Sequence, residues 1–385
     1  MRALPPPPAA PLVAGGPPPK GRLRVEHLDL RQRADRLAFY EAELSCRSGE
    51  HSFLPPFRRD ALYWLDPAGN PALSGAQTLA LRVSRDDQVV GRLLGLRRPG
   101  AAEGYFSAFA CLDDPSAAEA LFERCARWLR ELGCGQLLGP VGLAADAAPG
   151  VHQAVSAESS GPTRCDPPHI QRLIEASGLA PTAELAAWRW QLDIHDRRLQ
   201  CLFERAARLE ARGRVAVRAA DLRHFERELD GWRLLSGQLH EGPFACAGPE
   251  ASACRLRELV RAAVPESVLV AEVEGRTVGV AVSVPDIDHL RTPSGRISPL
   301  TLWRLVSARH QVQRARLRLL AAAPEGADLG VETILLAETA RRGLLRGWRE
   351  IELGEAPLDD HALTAAARDV GACLSRRGRV FTAAL

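Results

Sequence analysis

The chain has 385 residues, of which 46% are hydrophobic and 25% are charged, and this mix excludes collagen-like, mucin-like and globally disordered proteins. With 50 basic and 47 acidic residues, the net charge of +3 carries no electrostatic signature of a nucleic-acid partner. No apolar run reaches the roughly 18 residues that a membrane-spanning helix needs, so we expect no membrane partner. The length predicts two or three structural units.

The chain opens with a segment rich in proline, residues 1–22, which predicts a disordered leader. It has no apolar core of the kind found in secretory signal peptides, so we expect a cytoplasmic protein. The nine cysteines are scattered, without C-x-x-C pairs or Cys/His spacing typical of zinc ligands. This pattern indicates reduced thiols and no metal site.

The first half contains the pattern of a β-hairpin, Leu79–Arg85 and Gln88–Leu96, joined at Asp86 and Asp87. Three further elements follow it: a strand, a helix with apolar residues at helical spacing that ends at Gly133, and a short strand. They are predicted at Tyr105–Cys111, Ala118–Leu132 and Gln136–Gly139.

The connection between the halves is predicted to be a long loop over Pro149–Pro168, then a helix near Pro168–Ser177 and a strand near Leu185–Leu192. Trp188 and Trp190 alternate on that strand and are therefore expected to face the same way. We place the boundary between two domains near residue 195.

The second half repeats the order hairpin, strand, helix, strand, which indicates an internal duplication. The repeated elements are Val268–Val273 with Arg276–Val284, Leu317–Ala323, Glu332–Arg346 and Glu350–Gly354. Before them come a helix, a strand and a helix, at Leu199–Arg212, Val215–Val217 and Arg223–Leu239. Each half thus predicts a mixed sheet with helices packed on it. A basic stretch within Pro285–Arg314 is read either as a cover helix or as a lid over an acceptor.

Several short stretches are similar to bacterial tandem GNAT-like proteins of the N-acetyltransferase superfamily. They are Phe53–Asp60, Gly104–Phe109, Leu138–Pro140, Asp166–His169 and Leu173–Leu179, then Val268–Val284, Arg316–Glu325 and Arg349–Leu353. The resemblance implies an α/β fold (an α+β mixed sheet) with two tandem GNAT-like domains. The first, 23–195, would be degenerate and structural, and the second, 196–385, would hold any thioester.

In such acyltransferases the backbone of a glycine-containing loop and the following helix dipole hold the pyrophosphate of acyl-CoA. The resemblance places this co-substrate at Ala321, Ala322, Gly326, Gly330 and Val331. Gly330 matches the last glycine of the loop pattern, but Ala327 and Asp328 depart from it. A carboxylate at residue 328 repels a pyrophosphate by about 1 kcal/mol or more. A phosphopantetheine-linked acyl thioester on an acyl carrier protein needs this loop less. In the first half, Leu112–Pro115 runs into the helix without a glycine.

The acceptor amine must lose a proton, which calls for a carboxylate or histidine. The candidates at matching chain positions are Glu352 and Glu355, His240 and Glu241, and the cluster Asp359, Asp360 and His361. Phe381 stands where the resemblance implies a tyrosine that protonates the leaving thiolate.

Two functions remain open from sequence. One is an N-acyltransferase that moves an acyl group from an acyl-CoA or acyl-carrier-protein thioester to a primary amine of a small molecule or peptide, with specialised metabolism as one setting. The other is a catalytically inactive GNAT-fold protein that binds a ligand or partner, which the altered loop and Phe381 favour.

Overall fold

The computed structural model describes residues 21–48, 50, 53, 55–70, 72–143, 149–155, 165–213, 215–240, 249–286, 312–358 and 361–385. Eleven elements make up the first half of the described chain. They are β1 Leu23–Leu28, α1 Arg33–Cys46, α2 Arg58–Trp64, β2 Gln77–Arg85, β3 Gln88–Arg97, β4 Glu103–Cys111, α3 Pro115–Glu131, β5 Gln136–Gly139, β6 Val151–Ala154, α4 Pro168–Ala176 and β7 Ala180–Gln191.

The second half contributes the remaining helices and strands of the described residues. They are α5 Arg197–Gly213, β8 Val215–Ala219, α6 Phe225–His240, α7 Pro249–Ala262, β9 Val268–Val273, β10 Arg276–Pro285, β11 Arg314–Ala322, α8 Pro324–Asp328, α9 Val331–Leu345, β12 Glu350–Pro357, α10 His361–Asp369 and β13 Cys373–Ala384. Both predicted hairpins and the helix that follows each are confirmed to within a few residues. The basic stretch predicted as cover or lid lies mostly at 287–311, outside the described residues. No helix in the described ranges is long and apolar enough to cross a membrane.

The described strands form one continuous mixed sheet in the order β1-β2-β3-β4-β5-β13-β7-β12-β11-β10-β9-β8, with β6 beside β13. The expectation of one sheet per half is therefore wrong, because the halves exchange their last strands. Strand β7 pairs with β12, where Trp188 lies opposite Leu353. Strand β13 pairs with β5, where Phe381 lies opposite Gly139.

The apolar side chains explain the exchange. Trp188 and Trp190 both pack into the core of the second half, as their alternation predicts. Phe381 is fully buried in the core of the first half. Burying these large aromatic side chains stabilises the fold by several kcal/mol in total. Strand β7 obtains this stabilisation only beside the second-half strands, and β13 only beside the first-half strands.

Helices cover both faces of the sheet because the strands alternate apolar residues. In the first half, Leu79 and Leu81 face the cluster under α3 and α4, while Ala80 faces α1 and α2. In the second half, Leu269 faces α5 and α9, while Val270 faces α6 and α7.

Candidate active site between the two halves

Strands β11 and β12 diverge in the middle of the sheet. They are parallel neighbours only over Arg314–Leu317 and Glu350–Leu353. Beyond that point β11 follows β10, and β12 follows β7 after an irregularity at Gly354, whose φ is 81°. We call the resulting gap the wedge; it begins at Arg318 on β11 and Gly354 on β12.

The loop above the wedge is a turn of helix, α8, where the sequence predicts an open loop. Gly330 has φ 72° and begins α9 without a side-chain cap. Gly326 is packed so closely that a Cβ there would lie 2.5 Å from the Val278 carbonyl oxygen. Asp328 is exposed, two residues before Gly330. Gly330 thus offers no side-chain cap to the backbone N–H groups at the start of α9, and two carboxylates, Asp328 and Glu332, lie nearby in the chain.

The other predicted thioester-binding residues lie at the end of β11 and the start of α9. Ala321 and Ala322 are buried on opposite faces of the sheet, the first under α6 and α7 and the second under α9. Val331 is fully buried at the start of α9. The structure therefore brings the five predicted residues to one end of the wedge.

The equivalent gap in the first half is closed by its own hydrogen bonds. Strands β4 and β5 pair only over Glu103–Tyr105 and Gln136–Leu138. Past that point the Val141 N–H donates to the Phe106 oxygen at 2.9 Å, and the Ser107 hydroxyl donates to the Val141 oxygen at 2.5 Å. No wedge therefore opens between these two strands.

A carboxylate already occupies the N-terminus of α3. Asp114, whose side chain is 3% exposed, accepts from the Ala117 N–H at 3.1 Å and pairs with Arg85 at 2.8 Å. His169 on α4 also lies 2.9 Å from the Cys111 carbonyl oxygen at the end of β4. A second anion such as a pyrophosphate would be repelled here, which supports a structural role for the first half.

Replacing Asp114 by Ala should lower the free energy of unfolding by about 3–5 kcal/mol, because Arg85 is left buried without its partner and α3 loses its cap. Urea unfolding followed by circular dichroism measures this. Asp113→Ala is the matched control: Asp113 pairs with Arg172, but the two side chains are 49% and 44% exposed, so the expected loss is below about 1 kcal/mol. Equal losses for the two variants would contradict the assignment.

A cavity of about 270 Å³ lies beneath α1 and α2, and both halves line it. Its apolar wall includes Tyr40, Trp64, Leu65, Val141 and Leu143. Its polar wall combines first-half and second-half side chains, namely Glu43, Arg47, Arg92, His152, Asp166, Arg316, Arg318, Glu355 and Arg376. Arg318 and Glu355 lie where β11 and β12 part, so the cavity reaches the wedge.

The second-half wall of the cavity is an ion-pair network. Arg376, with a side chain 4% exposed, lies 2.9 Å from Glu355 and 2.6 Å from Glu352. Arg318 lies 3.3 Å from Glu355. Burial alone would raise the pKa of Glu355, but Arg376 and then Arg318 hold it well below its ordinary value. A carboxylate held in this way is a permanent counter-ion and a weak base.

The predicted bases thus fall into two groups. Glu352 and Glu355 are brought together through Arg376 at the wedge. His240 ends α6, but its side chain lies outside the described residues, as do Glu241, Asp359, Asp360 and the side chain of His361.

Phe381 does not lie where the resemblance implies a tyrosine that protonates the leaving thiolate. Phe381 lies in the first-half core, because β13 crosses to β5, so it does not stand beside the second-half wedge. Its replacement of a tyrosine therefore gives no information on chemistry at the wedge.

His152 is a cavity residue that the sequence does not single out. It lies on β6, a strand of four residues inside a segment predicted as loop. A strand so short gives no usable alternation, and only its pairing with β13 defines it. Within the described ranges, no group of three or more His, Cys, Asp and Glu side chains is arranged to hold a metal ion.

The chain was compared with known proteins. No family model matches it. A bacterial ceramide synthase from Caulobacter vibrioides is 23% identical over 267 residues, which cover 64% of this chain and 67% of that protein. A tandem GNAT protein from the clavulanic acid biosynthesis pathway superposes with a TM-score of 0.54 at 14% identity, covering 94% of this chain and 98% of the other. A GCN5-related N-acetyltransferase from Sphaerobacter thermophilus gives 0.52 at 14% identity, covering 94% and 95%. The chain has the tandem GNAT fold.

Proposed function

We propose that the protein transfers an acyl group from a thioester to a primary amine, with the thioester in the wedge and the amine in the cavity. The observation that carries this proposal is that Arg318 and Glu355 belong to both sites. A thioester carbonyl held in the wedge would therefore lie within reach of a molecule in the cavity, as proximity catalysis requires.

The wedge suits an extended donor. Past Leu317, β11 has no described strand on its β12 side, so the backbone N–H and C=O groups of every second residue face the gap, while the others pair with β10. An extended amide chain such as pantetheine can hydrogen bond to such an edge as an added strand does. The uncapped N-terminus of α9 would hold the phosphates of coenzyme A. A coenzyme A donor agrees with a cytoplasmic location.

The cavity suits an amine that carries an apolar group. Aromatic and aliphatic side chains form one wall and the arginine–carboxylate network forms the other. The Caulobacter vibrioides relative is named for making ceramide, an amide of a long-chain amine, and this supports an acceptor with an apolar chain. A peptide amine remains a second form of acceptor.

Asp328 tests whether coenzyme A itself is the donor. Asp328→Gly should tighten coenzyme A binding by roughly five- to thirty-fold, because removing one repulsive carboxylate is worth about 1–2 kcal/mol. Asp328→Asn is the matched control, since it removes the charge but adds no backbone freedom, and it should give most of the gain. Calorimetric titration of the three proteins with coenzyme A measures this.

A carrier-dependent turnover assay with an acyl carrier protein, run beside the titration, separates the remaining cases. If a carrier-protein thioester is the natural donor, Asp328→Gly should improve coenzyme A binding and leave carrier-dependent turnover nearly unchanged. A catalytically inactive binding protein is the second candidate, which the carboxylate of Asp328 near the α9 N-terminus favours. If the protein is catalytically inactive, the wild type and both Asp328 variants should neither bind nor turn over either thioester.

A further inference from the structure

We propose that His152 is the catalytic residue that takes the proton from the acceptor amine. This inference rests on the proposed acyl transfer, and it assigns the base to the first half, where no sequence candidate lies. Three features support it: the hydrogen bond of its ring, its position over Gly378, and the ion pairs that the cavity carboxylates already make.

The hydrogen bonds of His152 define which ring nitrogen carries hydrogen. Nε2 lies 3.0 Å from the Pro149 carbonyl oxygen. A carbonyl oxygen only accepts, so Nε2 carries a hydrogen, and in the neutral ring the lone pair is then on Nδ1. Nδ1 makes no hydrogen bond to any residue that the structure describes. The neutral ring can therefore accept a proton at Nδ1.

The backbone of His152 is fixed on both sides. Its N–H donates to Asp166 Oδ2 at 2.9 Å, and the Asp166 N–H donates to the His152 oxygen at 2.7 Å. Asp166 is itself 3.3 Å from Arg47. These bonds hold β6 to the segment just before α4. On its other side β6 pairs with β13, where His152 lies opposite Gly378. The side chain is thus preorganised before any substrate binds.

Gly378 provides the space that the ring occupies. A Cβ at residue 378 would lie 2.8 Å from His152 Cε1 and 2.9 Å from Nδ1. Any larger residue there must displace the imidazole. The glycine thus sets the position of the ring on the floor of the cavity, two residues along β13 from Arg376.

The cavity carboxylates are less suited to accept a proton than His152 is. Glu43 is paired with Arg92 at 2.5 Å, Asp166 with Arg47, and Glu355 with Arg376 and Arg318. An ion-paired carboxylate is a weaker base, whereas imidazole is the side chain that most often acts as a general base. The charged groups that face the ring's cavity from all packed elements are Glu43, Arg47, Arg92, Asp166, Arg316, Arg318, Glu355 and Arg376.

The neutral amine nitrogen attacks the thioester carbonyl carbon, so a C–N bond forms, and the C–S bond breaks with its electron pair leaving on sulfur. The amine proton passes to His152 Nδ1. The imidazolium then returns it, through solvent, to the thiolate, which leaves as the thiol.

The test measures thiol release from acetyl-CoA with a series of straight-chain primary amines. His152→Gln should lower kcat by roughly 100-fold or more, the range typical of a lost general base. Acetyl-CoA binding, measured by calorimetry, should stay unchanged. Gln153→Ala, on the same strand, is the control and should keep full activity. Gly378→Ala should lower kcat with little change in KM, because the imidazole is present but displaced.

A pH profile separates catalysis from a structural role. The wild-type rate should show an inflection with pH that the His152→Gln variant lacks, because only the wild type carries an ionisable group at residue 152. A His152→Gln variant within threefold of wild type, or one that keeps the inflection, would overturn the assignment and leave the proposed function standing. If wild-type protein releases no thiol with any amine, the proposed function fails, and the role of His152 fails with it.

Discussion

Residues 196–385 expressed alone are expected to aggregate and to show no cooperative unfolding transition. This fragment lacks β7, which lies between β12 and β13 in the intact sheet. Leu353 on β12 loses Trp188, and β13 loses its partners on both sides. Two strands would then expose unpaired backbone groups, which is the usual route to edge-to-edge aggregation. Size-exclusion chromatography and thermal melting followed by circular dichroism measure the result.

A longer fragment, 180–385, restores β7 between β12 and β13 and is the matched comparison. It should be more soluble than 196–385, although Phe381 still lacks the first-half core. A soluble 196–385 fragment with a sharp melting transition would show that the second half folds without the exchanged strand.

Replacing Glu355 by Ala should lower the free energy of unfolding by about 3–5 kcal/mol, because Arg376 and Arg318 are left buried with an incomplete set of partners. Glu184→Ala is the control on the neighbouring strand β7. Glu184 pairs with Arg379, and the two side chains are 37% and 36% exposed, so the expected loss is about 0–1 kcal/mol. Urea unfolding at neutral pH measures the free energy of unfolding of both variants.

The stability that Glu355 contributes should depend on pH. Its pKa in the folded protein lies well below the ordinary value of 4.5. A lowered pKa in the folded state means that the stabilisation is complete above the unfolded pKa and is lost as the pH falls below it. The difference between wild type and Glu355→Gln should therefore be full at about pH 7 and shrink below about pH 4. A difference that stays constant across this range would mean that the folded and unfolded proteins bind the same number of protons at Glu355, so that folding does not lower its pKa.

Local sequence patterns were sufficient to predict most individual elements. The hairpins β2–β3 and β9–β10 are predicted by apolar, β-branched runs on either side of a two-residue polar turn. Helix α3 is predicted by apolar residues at helical spacing. The same patterns do not identify which strand lies beside which. Alternation predicts that Trp188 and Trp190 face the same way, but the core into which they and Phe381 pack depends on contacts far away in sequence.

The cavity was harder to predict than the wedge. The five residues predicted to bind the thioester belong to one continuous stretch, from the end of a strand through a loop into a helix. The structure places them at one end of the wedge. The cavity combines α1 and α2, the four-residue strand β6, and side chains from β11, β12 and β13. His152 has no motif around it, and its importance arises only from Gly378 and Asp166, which are distant in sequence.

Hydrogen–deuterium exchange with and without acetyl-CoA tests most directly the claim that the second half holds the thioester. We expect slower exchange on ligand addition over residues 317–334 and 350–357, which form the wedge and the start of α9. The equivalent first-half residues, 103–117, should be unchanged, because Asp114 and the Ser107–Val141 bond already close that gap. Slower exchange at 103–117 with no change at 317–334 would contradict the account.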